Sequence, residues 1–301
     1  MTDFGAERSF QKANLAIQEH YHFTLPDEAL KEVTLFHAHQ CAPQVYPPAP
    51  SRTPDSCDLQ TDGCMIPTVF FNGTHSDARH NRHIEWKELR LSRALAKGQI
   101  QPTFGAVVGD TTQAGNAWRQ TANSQGVRDG TYCHGVGDGA PWIVEQFQKH
   151  FGGRGKYLLD LFHVCEKLAA VATLYRFPDT WLPQMKQYLT TDQVSKVMTE
   201  LYQQSEPECL EDADAPARVA LRYLRQRWEH LHYKEALSKN LSVGSGAIES
   251  SHRSVIQARL KLAGAWWTPE NAQAMAQLRV LRANQQWSVY WNSFQLKSRQ
   301  L

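Results

Sequence analysis

What these 301 residues lack narrows the field before anything else does. No apolar run reaches the roughly 18 residues that a membrane-spanning helix needs. The opening MTDFGAERSF has no apolar core of the kind a signal peptide carries. The six cysteines (Cys41, Cys57, Cys64, Cys133, Cys165 and Cys209) contain no CxxC pair, which argues against a zinc site and for a reducing compartment, the cytoplasm. No internal repeat is visible. A net charge of +2 neither demands nor excludes a nucleic-acid partner.

The distribution of charge says more than its sum. From Ser250 to Leu301 there are seven Lys or Arg against one acid, Glu270. Arg218, Arg222, Arg225 and Arg227 crowd a second stretch, and the acidic run EPECLEDAD (206–214) precedes them. Cations concentrated in the C-terminal third fit phosphate contacts, and they equally fit solvated helix faces.

Periodicity gives the outline. Residues 1–42 read as helical, with SFQKANLAIQEHY and DEALKEVTLFHAH separated by HFTLP; this fits a DNA-reading helix-turn-helix or an ordinary helical hairpin. Residues 43–58, rich in proline, read as a linker. Three strand-like runs follow, LQTDGCMIPTVFF, IEWKELRLSRALAK and QPTFGAVVGD, and then a helix, TTQAGNAWRQTANSQ. Next come the strand TYCHGV, the helix PWIVEQFQKHF and an apolar run, GKYLLDLFHV, read as a strand to its end. Three strands, helix, strand, helix, strand is the order of a ribonuclease-H-like α/β core with a mixed sheet, whose opening portion would cover 59–163. An all-helical insertion is expected over 164–240, including one long helix from Ala217 whose stripe of Leu221, Leu224, Trp228 and Leu231 faces the core. Residues 241–301 would complete the core with the helix AIESSHRSVIQARLK and a last helix opening at Thr268-Pro269-Glu270.

Three acids sit beside glycine or at the edge of an element: Asp62 in QTDGCMIP, Asp138 in GVGDGAPW and Glu249 in VGSGAIES. Singly, each has a plain structural role open to it, as turn former, helix-start acceptor or dipole partner. Together, on first strand, fourth strand and late helix, they would face one sheet edge. Three clustered carboxylates do not stay ionised without cations, and hard oxygen ligands favour two Mg²⁺ or Mn²⁺. Such a pair can activate an attacking oxygen and stabilise the leaving oxygen of a phosphodiester. Asp110, which ends FGAVVGD, is the substitute if Asp62 is misassigned.

The same residues carry a resemblance. In order over roughly 59–291, the DG of Asp62 near Trp86-Lys87-Glu88, GDGAPWI, YLLDLFHV, VGSGAIES, RLKLAGAWW and LRVLRANQQW resemble bacterial insertion-sequence transposases of the DDE type, close to the ISKra group. The resemblance implies a catalytic and metal-binding triad of Asp62, Asp138 and Glu249, cutting at the element's ends and transfer of the freed 3′-hydroxyl to target DNA. It implies double-stranded DNA as partner, a homodimer or larger synaptic assembly, and a cytoplasmic, nucleoid-associated setting. Asp160 and His163, a D-x-x-H, would lie near those acids. Arg253, one turn beyond Glu249, is the first cation expected near the cut phosphate, followed by Arg259 and Lys261; Arg218, Arg222 and Arg225 are further DNA-contact candidates. Trp266 and Trp267 suit either base stacking or core packing. Rival readings are a nuclease of the same fold that cuts without joining, an inert DNA-binding derivative, and a two-carboxylate glycosidase that needs no cation.

Overall fold

Alternating residues of 103–108 face two different helices, and this decides how the N-terminal half of the chain is layered. The computed structural model describes residues 1–73 and 78–298, so Arg299 of the C-terminal cations lies outside the described residues. Contacts divide it into two units, Met1–Thr131 with Ala247–Leu301, and Tyr132–Gly246.

The first unit is built on an antiparallel meander of β1 (Ser56–Phe71), β2 (Arg82–Ala96) and β3 (Thr103–Val108), as the three strand-like runs predict. Phe104 and Ala106 join the core formed with α13 (Pro269–Ala283), where Met275, Leu278 and Leu281 are fully buried. Gly105 points the other way, and a Cβ there would lie 2.8 Å from Thr121 of α4 (Thr111–Ser124), so the glycine is what lets that helix approach. The N-terminal helices α1 (Thr2–Glu7), α2 (Phe10–Tyr21) and α3 (Asp27–Gln40) belong to this unit and are not a separate body. The α2 and α3 spans match the expected pair; α1 was not foreseen. Ser9 caps α2, and buried His37 of α3 bonds Tyr290 Oη across 2.7 Å, tying α3 to α14 (Trp287–Ser298).

The proline-rich stretch does not act as a spacer between separate bodies. Val45 is buried, its carbonyl accepts from Asn284 Nδ2, and the carbonyls of Pro50 and Ser51 accept from Arg128. Proline removes donors but leaves carbonyls, and here those carbonyls pin the segment down. The breaks fall instead at 131/132 and 246/247.

In the second unit β4 (Tyr132–Gly137) and β5 (Gly155–Leu159) pair in parallel, joined through α5 (Pro141–Phe151), whose first residue is the expected proline. Helices α6 (Leu161–Tyr175), α7 (Trp181–Thr190), α8 (Val194–Gln203), α9 (Pro216–Gln226) and α10 (Tyr233–Ser238) share a core that includes Leu168, Leu189, Leu201 and Leu224. Two expectations need correction. The apolar run GKYLLDLFHV is strand only to Leu159; Asp160 caps α6, so His163 lies in a helix's first turn. A short apolar run does not distinguish strand from buried helix, and only the capping acid marks the change. The helix expected from Ala217 ends at Gln226, and Trp228–His230 forms a 3-10 turn in which Trp228 and His230 are only middling helix formers. Trp228 therefore leaves the stripe and is 53% exposed, while Leu221, Leu224 and Leu231 are buried as expected.

Each unit thus combines strands with helices, an α/β chain. Among the described residues no helix is long and apolar enough to cross a membrane.

Candidate active site

In the first unit, Asp62 lies inside β1 opposite Leu91, with its side chain 39% exposed. One carboxylate oxygen accepts from its neighbour Gly63 N at 2.7 Å. The Asp-Gly pair is therefore strand, not turn. Behind it, His252 is 2% exposed, and its Nε2 lies 3.0 Å from the Asp62 carbonyl and 3.8 Å from the carboxylate. A carbonyl only accepts, so Nε2 carries the proton. Nδ1 is buried and has no partner among the described residues. Burial lowers the His252 pKa, with the Asp62 charge opposing, so the ring is a neutral donor.

Glu249 lies on α11 (Gly246–Ser251) and is solvent-exposed. The chain continues through a π-helical segment, His252–Gln257, into α12 (Ala258–Leu260), so the expected single helix carries a π-bulge directly after Glu249. Such bulges recur at functional sites and re-aim the side chains that follow. The helix is fixed to β1 a second time: Gln60 Oε1 accepts from Ile248 N at 3.1 Å. Glu249 therefore follows a residue locked to the strand that carries Asp62.

The neighbouring cations divide sharply. Arg253 and Lys261 are exposed. Arg259, proposed from sequence for DNA, is only 1% exposed and is corrected to a core residue. Its Nε donates to Gly5 O, and its guanidinium lies 4.6 Å from the Phe10 ring centre and 4.7 Å from that of Trp267. Burial lowers its pKa to about 10. The two tryptophans differ likewise: Trp267 is 5% exposed, whereas Trp266 is 41% exposed with Arg82 over its ring.

Asp110 is the N-cap of α4 in a complete capping box: it accepts from Gln113 N at 2.7 Å while Gln113 Oε1 receives its own N–H. That role is structural.

In the second unit, Asp138 stands exposed between β4 and α5. Its carboxylate accepts from Ala140 N at 2.8 Å, and its carbonyl accepts from Tyr223 Oη at 2.7 Å. Gly139 follows with φ +78°, and Arg227 Nε donates to its carbonyl. The turn needs a left-handed residue directly after Asp138, which glycine supplies, and the Asp138 side chain stays exposed. Burial raises the Tyr223 pKa, so its hydroxyl remains a donor.

Asp160, 1% exposed, is saturated by four donors: Phe162 N, His163 N, Ser245 N and Ser245 Oγ. It caps α6 and holds the VGSG segment, while His163 Nδ1 sits 3.1 Å from Glu166. Arg218 and Arg222 pair with Asp212 of the acidic run, and Arg225 lies over the Tyr202 ring. The acidic stretch thus neutralises cations of its own unit.

Sequence reasoning missed His252, Gln60 and Tyr223. The signals were faint: a histidine three residues after Glu249, and an arginine four residues after Tyr223, at the end of α9.

Residues 124–293, more than half of the chain, match an uncharacterised protein family, UPF0236. No curated protein matches the chain.

Proposed function

The chain belongs to the uncharacterised family UPF0236, and from that footing we propose that it is a DNA transposase of the DDE type with a ribonuclease-H-like core. The acids would be Asp62, Asp138 and Glu249. One observation carries the choice of these three. Their carboxylates are wholly or partly exposed and cap no helix, whereas Asp160 is buried as the cap of α6 and Asp110, though exposed, is committed to a complete capping box. The antiparallel meander, the helix after it and the parallel pair support the fold assignment.

The carboxylates of Asp62 and Asp138, each held by one backbone N–H, are hard, pre-oriented oxygen donors, which suits Mg²⁺ or Mn²⁺. When bound, a divalent pair supplies activation of the attacking oxygen and stabilisation of the leaving one. The chain's own residues do the rest. His252 and Gln60 fix β1 against the Glu249 helix, so two carboxylates keep a constant relation. Gly139 and Tyr223 fix the turn that presents Asp138. Arg253 and Lys261 offer phosphate contacts near Glu249. The reaction is water-driven cutting at element ends, followed by attack of the 3′-hydroxyl on target DNA, in a dimer or larger assembly.

The test is cleavage of end-containing duplex DNA by purified protein with Mg²⁺. Loss of cutting in Asp138→Asn, with an unchanged melting temperature, supports the assignment; undiminished cutting refutes it. Cut products without joined products would move the reading to a nuclease.

A further inference from the structure

A cleft of about 530 Å³ opens within the second unit, beside Asp138, and the proposed chemistry does not use its far wall. That volume is within the range of small-molecule sites. Its charged lining is Asp138, Glu166, Lys167, Asp212 and Arg227, with Tyr223 between.

Two acids of this lining are engaged, since Asp212 pairs with Arg218 and Arg222 and Glu166 bonds His163, and the third, Asp138, is the proposed metal ligand. The cations are not neutralised: among the described residues neither Lys167 nor Arg227 has a carboxylate within ion-pair distance. Each instead lies over the Tyr223 ring, Lys167 Nζ at 4.5 Å and Arg227 at 4.2 Å from its centre. Tyr223 is half-buried, and a cation over such a ring remains available for a charge-assisted bond to phosphate, which is the stronger and more directional contact. The Tyr223 hydroxyl donates to the carbonyl of Asp138 itself, so the ring that holds both cations is anchored to the reacting turn. Arg227 spends Nε on Gly139 O, and its Nη2 makes no hydrogen bond among the described residues.

We propose that this cleft is a phosphate subsite, in which Lys167 and Arg227 grip a phosphate ester next to the one cut at Asp138, with Tyr223 as the platform between them. The ligand class rests on the transposase reading only in being polynucleotide; a free nucleotide presents the same phosphate chemistry, and the test separates the two.

Binding of a labelled end-containing duplex to the full chain is measured against salt concentration for the wild type, Lys167→Gln and Lys196→Gln. Lys196 also lies over a tyrosine ring, that of Tyr188, yet is outside the cleft, and so serves as control. Neutralising one phosphate contact shifts the slope of log K against log salt by about 0.9. We expect Lys167→Gln to be shallower by about that amount and several-fold weaker at low salt, with Lys196→Gln like the wild type. Identical slopes for wild type and Lys167→Gln overturn the subsite while leaving the cleavage assignment standing. If the wild type binds no DNA, the transposase reading falls, and a nucleoside triphosphate becomes the deciding probe. Binding that Lys167→Gln weakens keeps the phosphate site; no binding, or binding indifferent to Lys167, ends it.

Discussion

The ring of His252 donates through Nε2 to the main-chain carbonyl of Asp62 across 3.0 Å, while Nδ1 is buried with no hydrogen-bond partner among the described residues. This joins the π-helical segment after Glu249 to the strand that carries Asp62. Partners that orient a metal ligand typically matter by about 10–100-fold in metal affinity or rate. His252→Leu is therefore expected to weaken Mn²⁺ binding and cleavage within that range. His252→Gln, which keeps an N–H of similar reach, should recover some of both. Equal losses in the two variants, accompanied by equal loss of melting temperature, would reduce His252 to a packing residue.

Asp62 and Asp110 make opposite predictions. Removing a capping acid costs about 0.5–2 kcal/mol, so Asp110→Ala should lower the melting temperature and leave Mg²⁺-dependent cleavage intact. Asp62→Asn should abolish cleavage with little change in stability. The reverse pattern would transfer the catalytic role to Asp110.

Arg259 separates a DNA contact from a structural cation. With its guanidinium between Phe10 and Trp267 and a bond to Gly5, it fixes α1 and α2 onto the core. Breaking one partner of such a buried polar cluster costs about 2–4 kcal/mol. Arg259→Gln should unfold at markedly lower temperature, yet its remaining folded fraction should bind DNA with the wild-type salt slope. A changed slope at unchanged stability would restore the phosphate role first expected of it.

Much of this architecture was readable because local signals agreed with one another. The strands of the meander carry β-branched and aromatic residues with partial alternation, Thr268-Pro269 opens α13 with the Thr268 side chain capping Asn271 N, and Gly-Asp-Gly-Ala-Pro marks a strand-to-helix turn. What was not readable depended on contacts distant in sequence. Nothing near Arg259 says that Phe10 will cover it. Asp160 looks like any acid at a strand end until Ser245 supplies two of its four bonds. Charge patterning left Arg218 and Arg222 as DNA-contact candidates, because it cannot show that the acidic run folds back onto them.

Gly139 has φ +78°, and a Cβ there would stand 2.5 Å from Arg227 Nε and 2.6 Å from Leu159 Cδ1. Both the backbone and the neighbours oppose a side chain. Gly139→Ala is expected to cost about 1–3 kcal/mol, to loosen the Arg227 bond and to misplace Asp138, so that cleavage falls by more than stability alone explains. A variant with unaltered melting temperature and cleavage would show that the turn tolerates other geometries.

Acid should destabilise the chain earlier than its carboxylates dictate. Burial lowers the pKa of His37, His230, His232 and His252 from the ordinary 6.5. Below 6.5 the unfolded chain therefore binds protons that the folded chain refuses, and stability falls as pH drops from 6.5 toward the folded values. The acids whose pKa is depressed in the fold act in the same direction but lower down: Glu235, held by Lys156 and Lys239 at about 2, gives up its contribution only below the ordinary 4.5. Between pH 6.5 and 5 the loss belongs to the histidines. The melting temperature, followed without divalent ions, should be level above pH 7 and fall through 6.5. His37→Gln or His252→Gln should flatten that fall, and a melting temperature that stays constant or rises from pH 7 to 5.5 would contradict it.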